Sequence, residues 1–363
     1  MQEIIKPIRL SQLSEKPLVS VWMTNYNYAD FLEDSISSVL NQTYSNFELI
    51  VCDDGSTDNS LEIIKRYINK DNRIKLIKKE NAGIAAALND IHKVSKGQII
   101  CFLDSDDYFS ETKIEKVAND FIKNPNCGVH FHSMMRVNKH GEFEGRYPLL
   151  SKIPTGWLAE DVIKNSTGLL NIPPMSGISI RNELTEYIFP ITNEVKTNVD
   201  GFIINTALLL SHACSNENEL SYYRLHSSNL SNFSKRKGSI KELIRIKEKD
   251  IELNRMMYNS VNRWLKEKLD ESIELNKIEN NWFYLEANYV ISLLSNNVLE
   301  SDIKFWKTKL LSHRLTKNSQ HIYYFYKNLN YLPKIFIKNI LLLKYGQNKL
   351  KHFINKVYKN LNI

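Results

Sequence analysis

The stretch FELIVCDDGSTDNSLEIIKRYINK, residues 47–70, contains a whole strand–loop–helix unit. Phe47–Cys52 is an unbroken apolar run, short and bounded by turn residues, which predicts a strand buried on both faces. Asp53 and Asp54 end it, Gly55 turns the chain, and Ser56, Thr57 and Asp58 read as caps for the helix that follows. The same design stands on either side. LVSVWMT (Leu18–Thr24) runs into the polar loop NYNYAD and then FLEDSISSVLNQ, whose Leu32, Ile36, Val39 and Leu40 fall near helical spacing. RIKLIKK is a third strand and AGIAAALNDIHKVS an Ala-rich helix that Gly97 closes; QIICFLD is a fourth strand. This alternation predicts a parallel α/β sheet with helices on both faces. Ligands in such sheets lie beyond the carboxyl ends of the strands. Thr24, the Asp53–Asp54 pair and the cluster after residue 103 are thereby expected on one edge.

That cluster, in CFLDSDDYF (residues 101–109), brings Asp104, Asp106 and Asp107 together. Their mutual repulsion opposes folding unless they form a solvated, helix-capping turn or a cation sits among them. Hard divalent ions such as Mg²⁺ or Mn²⁺ take oxygen ligands and bridge one or two carboxylates to phosphate. A second carboxylate pair expected on the same edge favours the cation.

Beyond Asp107 the pattern loosens. TKIEKVANDFIKN reads as a helix, GVHFHSMMRVNKHGEF as a hairpin turning at NKHG, SGISIRNEL as a strand entering a helix, and VDGFIINTALLLSH as a mostly buried helix. Residues 238–297 are helical, periodic and rich in Lys and Glu. Of the 363 residues, the last 63 carry thirteen Lys/Arg against one acid, Asp302. The chain totals +7, so this tail is +12 and the first 300 residues are −5. Such asymmetry points the tail at an anionic partner. Cys52, Cys101, Cys127 and Cys214 show no CxxC spacing. Read as buried, reduced thiols, they favour a cytosolic compartment. No signal peptide is expected, since MQEIIKPIRL lacks its long apolar stretch, and no apolar run approaches the ~20 residues of a membrane helix.

The ordered set PLVSVWMTNYNYADFLEDSISSVLNQTYSNFELIVCDDGSTDNS, NAGIAAALN and GQIICFLDSDD resembles the nucleotide-sugar half of the family 2 glycosyltransferases, which have the GT-A fold. The match is dense over residues 17–110 and looser to about 232. The resemblance implies a lead-in over 1–16, a GT-A domain over 17–232 (nucleotide-sugar half 17–125, acceptor half 126–232), a helical region over 233–300 and a basic helical tail over 301–363. It implies that Thr24, Tyr26, Asp53 and Asp54 hold the nucleotide base. Asn81, Gly83 and Asn89 would line the nucleotide pocket, with Asp104 and Ser105 on the ribose and Asp106 and Asp107 on Mn²⁺ or Mg²⁺. Family members often carry an arginine before the second Asn of NAGIAAALN; alanines stand there in this chain. YYRLHSSNLS (Tyr222–Ser231) resembles the family's YR-x-H-x-x-N-x-S stretch, which implies Arg224 on the diphosphate and His226 on the metal. Asp200, ahead of the apolar helix, takes the place of the catalytic base, although Val199 stands where an acid is usual; its plainer reading is a helix N-cap. Trp157 and the turn Pro173–Ser176 fall where the family shapes its acceptor site. His130 and His132, two apart on one strand, are expected to be structural.

The expectation is a metal-dependent, inverting transferase that moves a sugar from a nucleotide-diphosphate donor, UDP-linked, to a glycan or lipid-linked acceptor in surface polysaccharide synthesis. The expected location is cytoplasmic, peripheral on the inner membrane face through residues 301–363. No nucleic-acid partner is expected. The alternative from another class is a non-catalytic sugar-nucleotide-binding scaffold with a helical interaction module. A nucleotidyltransferase is disfavoured because TNYNYADF has neither the glycine nor the basic residue of that class's first loop.

Overall fold

The computed structural model of the chain describes residues 5–147, 153–167, 172–192, 194–195, 198–226, 240–295, 298–313, 326–327 and 329. Two compact units emerge: residues 1–164, 169–225 and 259–274, and residues 165–168, 226–258 and 275–363.

The first unit opens with β1 (Val19–Asn25), α1 (Ala29–Leu40), β2 (Phe47–Asp53), α2 (Ser60–Ile68), β3 (Ile74–Lys78), α3 (Ile84–Val94) and β4 (Ile99–Asp104). The alternation expected from residues 18–104 is therefore present, and β3-β2-β1-β4 pair in parallel. Their apolar runs bury both faces, as parallel strands require. Val19, Val21 and Met23 of β1 join Leu32, Ile36 and Val39 of α1, with Val51, Ile64, Cys101 and Leu103, in one fully buried cluster. Trp22 points the other way. It packs edge-on to Phe102 and Phe189 and donates its indole N–H to Ser95 Oγ at 2.9 Å.

The unit continues through β5 (Tyr108–Phe109), α4 (Lys113–Lys123), β6 (Cys127–Asn138), β7 (Phe143–Tyr147), α5 (Ala159–Lys164), β8 (Ile178–Arg181), α6 (Thr185–Ile188), α7 (Val199–Leu210) and β9 (His212–Leu225). The sheet extends as β4-β8-β6-β9-β5, with β7 paired to β6 as the expected hairpin. β8 runs antiparallel to both neighbours. β9, fourteen residues long, runs parallel to β6. Sequence reasoning missed β9 because its middle, SNENE, is polar and does not alternate; register shifts around His132–Met134 absorb it.

In the second unit are α8 (Ile240–Lys268), which passes into the first unit at Asn259, then α9 (Trp282–Leu294) and α10 (Glu300–Ser312). A buried ion pair holds the second unit's core: Lys247 Nζ donates to Glu286 Oε2 at 3.0 Å, and Tyr326 Oη donates to Glu286 Oε1. Most of the basic tail lies outside the described residues. No helix among the described residues is long and apolar enough to cross a membrane.

Cys52 and Cys101 are free and buried, as their strands imply. The expectation of four reduced thiols is corrected at the other two. Cys127 and Cys214 form a disulfide with their Cα atoms 5.9 Å apart. The parallel pairing of β6 with β9 brings them together across 87 positions, a proximity no local spacing reveals. Cysteine usage thus gives no argument for a reducing compartment. His130 and His132 are both wholly buried, on Asp120 Oδ2 (2.9 Å) and Ser221 Oγ (2.8 Å) respectively.

The caps also differ from expectation. Asp58 reaches across to the neighbouring helix: its Oδ2 accepts from Ala29 N–H of α1, while Oδ1 accepts from Ser60 N–H. Asn27 Oδ1 in turn accepts from Thr57 N–H at 2.7 Å. The loops after β1 and β2 are thereby laced into one rim. Gly55 completes it at φ +80°, where a Cβ would lie 2.7 Å from the Asn81 nitrogen. Left-handed backbone costs an L-residue about 1–2 kcal/mol before any clash. Gly55→Ala is expected to lower the unfolding free energy by about 2 kcal/mol or more, measured by urea denaturation.

Candidate active site

Strand register builds the site. Thr24 of β1 stands opposite Cys52 of β2 on one side and Asp104 of β4 on the other, and Asn25 stands opposite Asp53. Adjacent strands lie about 4.8 Å apart. The three carboxyl ends therefore share one edge, as the alternation implied.

Asp53 and Asp54 divide their work. Asp53 is fully buried and spends its oxygens on the loop, accepting from Asn25 Nδ2 (2.8 Å) and Ser56 N–H (3.0 Å). Asp54 faces the N-terminus of α3, with Oδ1 accepting Ala82 N–H (2.9 Å) and Oδ2 Gly83 N–H (2.7 Å). Lys79 Nζ stands 3.9 Å from Asp54 and 3.3 Å from Asp90. Tyr26 and Ile84, each adjacent to one of these contacts, are exposed by 45% and 38%, and Asn81 is exposed beside them. Asn89 has its whole side-chain amide on the backbone of Ile191.

The acidic turn after β4 is held from several elements. Asp107 N–H donates to the Asp104 carbonyl at 3.0 Å. Ser105 Oγ donates to the Thr24 carbonyl (2.7 Å), and Ser35 Oγ of α1 lies 2.7 Å and 2.5 Å from the carbonyls of Ser105 and Asp107. From the far half, Ser176 Oγ donates to Asp107 Oδ2 (2.6 Å) and accepts Asp104 N–H (3.0 Å). Arg224 N–H donates to Asp107 Oδ1 at 2.9 Å. Both oxygens of Asp107 are thus engaged by protein donors, while Asp104 is the most exposed of the three.

Oxygens of Asp104, Asp106 and Asp107 all lie within 4.8 Å of one another, the one such potential metal-holding group among the described residues. Burial, reinforced by the charges of Asp106 and Asp200, pushes the Asp104 carboxyl up to about 8. Asp107 is likewise raised well above the ordinary carboxylate range, by burial and by Asp106 and Asp104. Tyr28, which the sequence did not single out, is pushed to about 12 by burial and by all three acids. A hard cation fits this oxygen-only set, because it would supply the positive charge that the carboxylates otherwise lack.

Asp200 lies in the first turn of α7, not at its N-cap, which is Asn198 at φ +57°. At Gly201 beside it, an added Cβ would sit 2.7 Å from Asn198 Oδ1, so the Asn198 side chain would have to shift. Asp200 Oδ1 accepts Gly201 N–H at 2.9 Å, yet burial still raises its carboxyl. Its charge is felt at Asp104 and at Tyr147, where Arg136 opposes it. Asp200 therefore shares the electrostatic environment of the acidic turn.

Arg224 turns its guanidinium to Asp34 Oδ2 (2.9 Å), between the rings of Phe31 (5.1 Å) and Tyr108 (5.0 Å). Trp157 packs on His212, past the C-terminal end of α7, a helix length of about 18 Å from Asp200. The Pro173–Ser176 turn does reach the site, through Ser176. His226 is buried and opens the 226–258 segment of the second unit. The remainder of the YYRLHSSNLS stretch lies outside the described residues.

Residues 20–178 match the family model for glycosyl transferase family 2. The chain carries a family 2 glycosyltransferase domain. It is 33% identical over 219 residues to an uncharacterized glycosyltransferase of Nostoc sp., covering 58% of this chain and 66% of that protein. It is 39% identical over 154 residues to a Bacillus subtilis glycosyltransferase named for teichuronic acid biosynthesis, covering 42% and 59%. The chain thus spans less than two thirds of the length of these relatives. A mannosyltransferase from Pyrobaculum calidifontis, solved with GDP-Man and Mn²⁺, superposes with a TM-score of 0.50 at 16% identity over 89% of this chain and 88% of its own. That likeness is one of fold, and the architecture of this glycosyltransferase domain is of the GT-A type.

The raised acids give a pH expectation. The native state binds protons that the unfolded chain has already released, so the metal-free protein loses stability as pH rises from about 4 toward 8. A divalent cation competes with those protons. Stabilisation by Mn²⁺, measured as a Tm shift, is expected to be larger at pH 8 than at pH 6, with affinity rising up to about tenfold per pH unit for each proton displaced.

Proposed function

We propose that this protein is an inverting glycosyltransferase that moves a sugar from a nucleotide-diphosphate donor to a hydroxyl of a glycan or lipid-linked acceptor, with Asp200 as base. The observation that carries this reading is the turn at the carboxyl end of β4, where oxygens of Asp104, Asp106 and Asp107 lie within 4.8 Å of one another inside the stretch that matches the family model. Asp200 adds a carboxyl of raised proton affinity whose charge is felt at that turn, which is suited to a cation and a diphosphate.

The nucleotide's base rests between Tyr26 and Ile84, where Asp54 accepts a base N–H with lone pairs that Ala82 and Gly83 leave available. Asp104 and Asp106, backed by Asp107, would hold Mg²⁺ or Mn²⁺; when bound, the ion supplies electrophilic stabilisation to the diphosphate leaving group. Asp200 orients the acceptor hydroxyl and takes its proton as the new C–O bond forms and the bond from the anomeric carbon to phosphate breaks. The electron pair of that bond leaves on the nucleoside diphosphate, and the proton stays on Asp200. Tyr147 and Arg136 border the acceptor side of Asp200. Tyr28 borders the carboxylates and is suited to donate a phenolic O–H to the diphosphate. Arg224, whose guanidinium pairs with Asp34 and whose main-chain N–H holds Asp107, would exchange Asp34 for the diphosphate and so supply the cation that the alanines of NAGIAAALN do not. A UDP-linked sugar is the proposed donor and a surface polysaccharide the proposed product, in keeping with the teichuronic acid relative.

The test is a thermal-shift panel of UDP- and GDP-sugars, with and without Mn²⁺, followed by transfer assays with the stabilising donor. Asp200→Asn is expected to keep the Mn²⁺-dependent Tm shift and lose transfer by 10²- to 10⁴-fold. Full activity in that variant would remove Asp200 as base, and no stabilisation by any nucleotide sugar would remove the donor assignment.

The +12 charge of residues 301–363, with Phe305 half-exposed beside Lys304, Lys307 and Lys309, supports attachment to an anionic membrane surface. Deleting residues 301–363 is expected to abolish cosedimentation with phosphatidylserine-containing vesicles. Undiminished cosedimentation would place binding elsewhere.

A further inference from the structure

The resemblance assigns Asn89 to the nucleotide pocket, but its side chain is committed elsewhere. Oδ1 accepts Ile191 N–H at 2.7 Å and Nδ2 donates to the Ile191 carbonyl at 2.9 Å, across 102 positions. Both functional atoms of the amide are spent on one backbone residue. The grip is reinforced one turn along α3: His92 Nε2 lies 3.1 Å from Thr185 Oγ1, and its ring stacks on Phe189 at 4.9 Å and 19°. Positions 89 and 92 share a helix face, so one side of α3 docks the chain from Thr185 to Ile191.

The ends of this connection matter. The N-terminus of α3 is fixed by Asp54, whose two oxygens hold the N–H groups of Ala82 and Gly83. Asn89 sits about 9 Å further along the helix axis. From Ile191 the chain leads on to α7, whose first turn carries Asp200. α3 is closely packed, with Ala85, Ala87, Leu88 and Ile91 buried, and a close-packed interior transmits strain rather than absorbing it.

We propose that Asn89 is a positioning residue that fastens the chain leading to Asp200 onto the helix whose N-terminus Asp54 holds, so that a nucleotide engaging Asp54 orders Asp200. This rests on the roles given above to Asp54 and Asp200. Removing the amide leaves two buried backbone groups at Ile191 without partners and releases the base segment, while the nucleotide contacts themselves stay in place.

The test is hydrogen–deuterium exchange of peptides covering 185–192 and 199–204, with and without UDP or GDP plus Mn²⁺, beside calorimetric nucleotide binding. In the wild type, the bound nucleotide is expected to slow exchange in 199–204 at least fivefold. Asn89→Ala is expected to bind the same nucleotide within threefold of the wild-type Kd and to lose that protection. Asn89→Asp, which keeps the acceptor for Ile191 N–H and is the milder change for folding, is expected to retain part of it. A Kd weakened tenfold or more in both variants would make Asn89 a nucleotide contact and overturn the proposal, as would full protection in Asn89→Ala. Failure of the base assignment shows separately: Asp200→Asn would retain transfer, while the loss of protection in Asn89→Ala would still support the coupling.

Discussion

Crowding of like charge at the end of β4 is the constraint around which the first unit is arranged. Asp104, Asp106 and Asp107 lie within 4.8 Å of one another, and Asp200 adds to their field. A chain that folds around such a cluster must hold it by force of other contacts. It does so with backbone N–H groups and hydroxyls aimed at carboxylates and carbonyls: Ser35, Ser105, Ser176 and the Arg224 amide. The parallel register of β1 with β2 and β4 provides the rigid frame to which those contacts attach. The cluster creates a demand for positive charge, which a hard cation would meet.

The nucleotide side was legible in the sequence because its signals are local. Apolar runs of strand length, each ending in Thr24, Asp53 or Asp104, and helical spacing between them suffice to place the carboxyl ends on one edge. What was not legible comes from contacts across long separations. Asp58 looks like a cap for its own helix and partly serves α1 instead. Ser176 lies in an unremarkable turn, and only the antiparallel insertion of β8 between β4 and β6 delivers it to Asp107. Tyr28 sits in a loop with two tyrosines, and nothing in that spacing says which of them faces the acids.

The far half was harder to read for a related reason. β9 has a polar middle and pairs in parallel with a strand 85 positions before it (Cys127 with His212), so neither alternation nor a turn announces it. The disulfide and the burial of both His130 and His132 follow from that single pairing. Trp157 illustrates the same difficulty. Its position in the chain gives no hint of its packing partner, His212, which lies past the far end of α7 from Asp200.

Ser176 has a consequence for how such a domain can be divided. Its hydroxyl receives the Asp104 amide and binds the Asp107 carboxylate, and the Arg224 amide takes that carboxylate's other oxygen. The acidic turn is encoded in the first third of the chain but is finished by residues from the second. The two halves are therefore not interchangeable cassettes. A hybrid that joined this nucleotide-side sequence to the acceptor side of a relative would inherit a misaligned turn unless the incoming segment supplied a hydroxyl and a main-chain donor at the same two places.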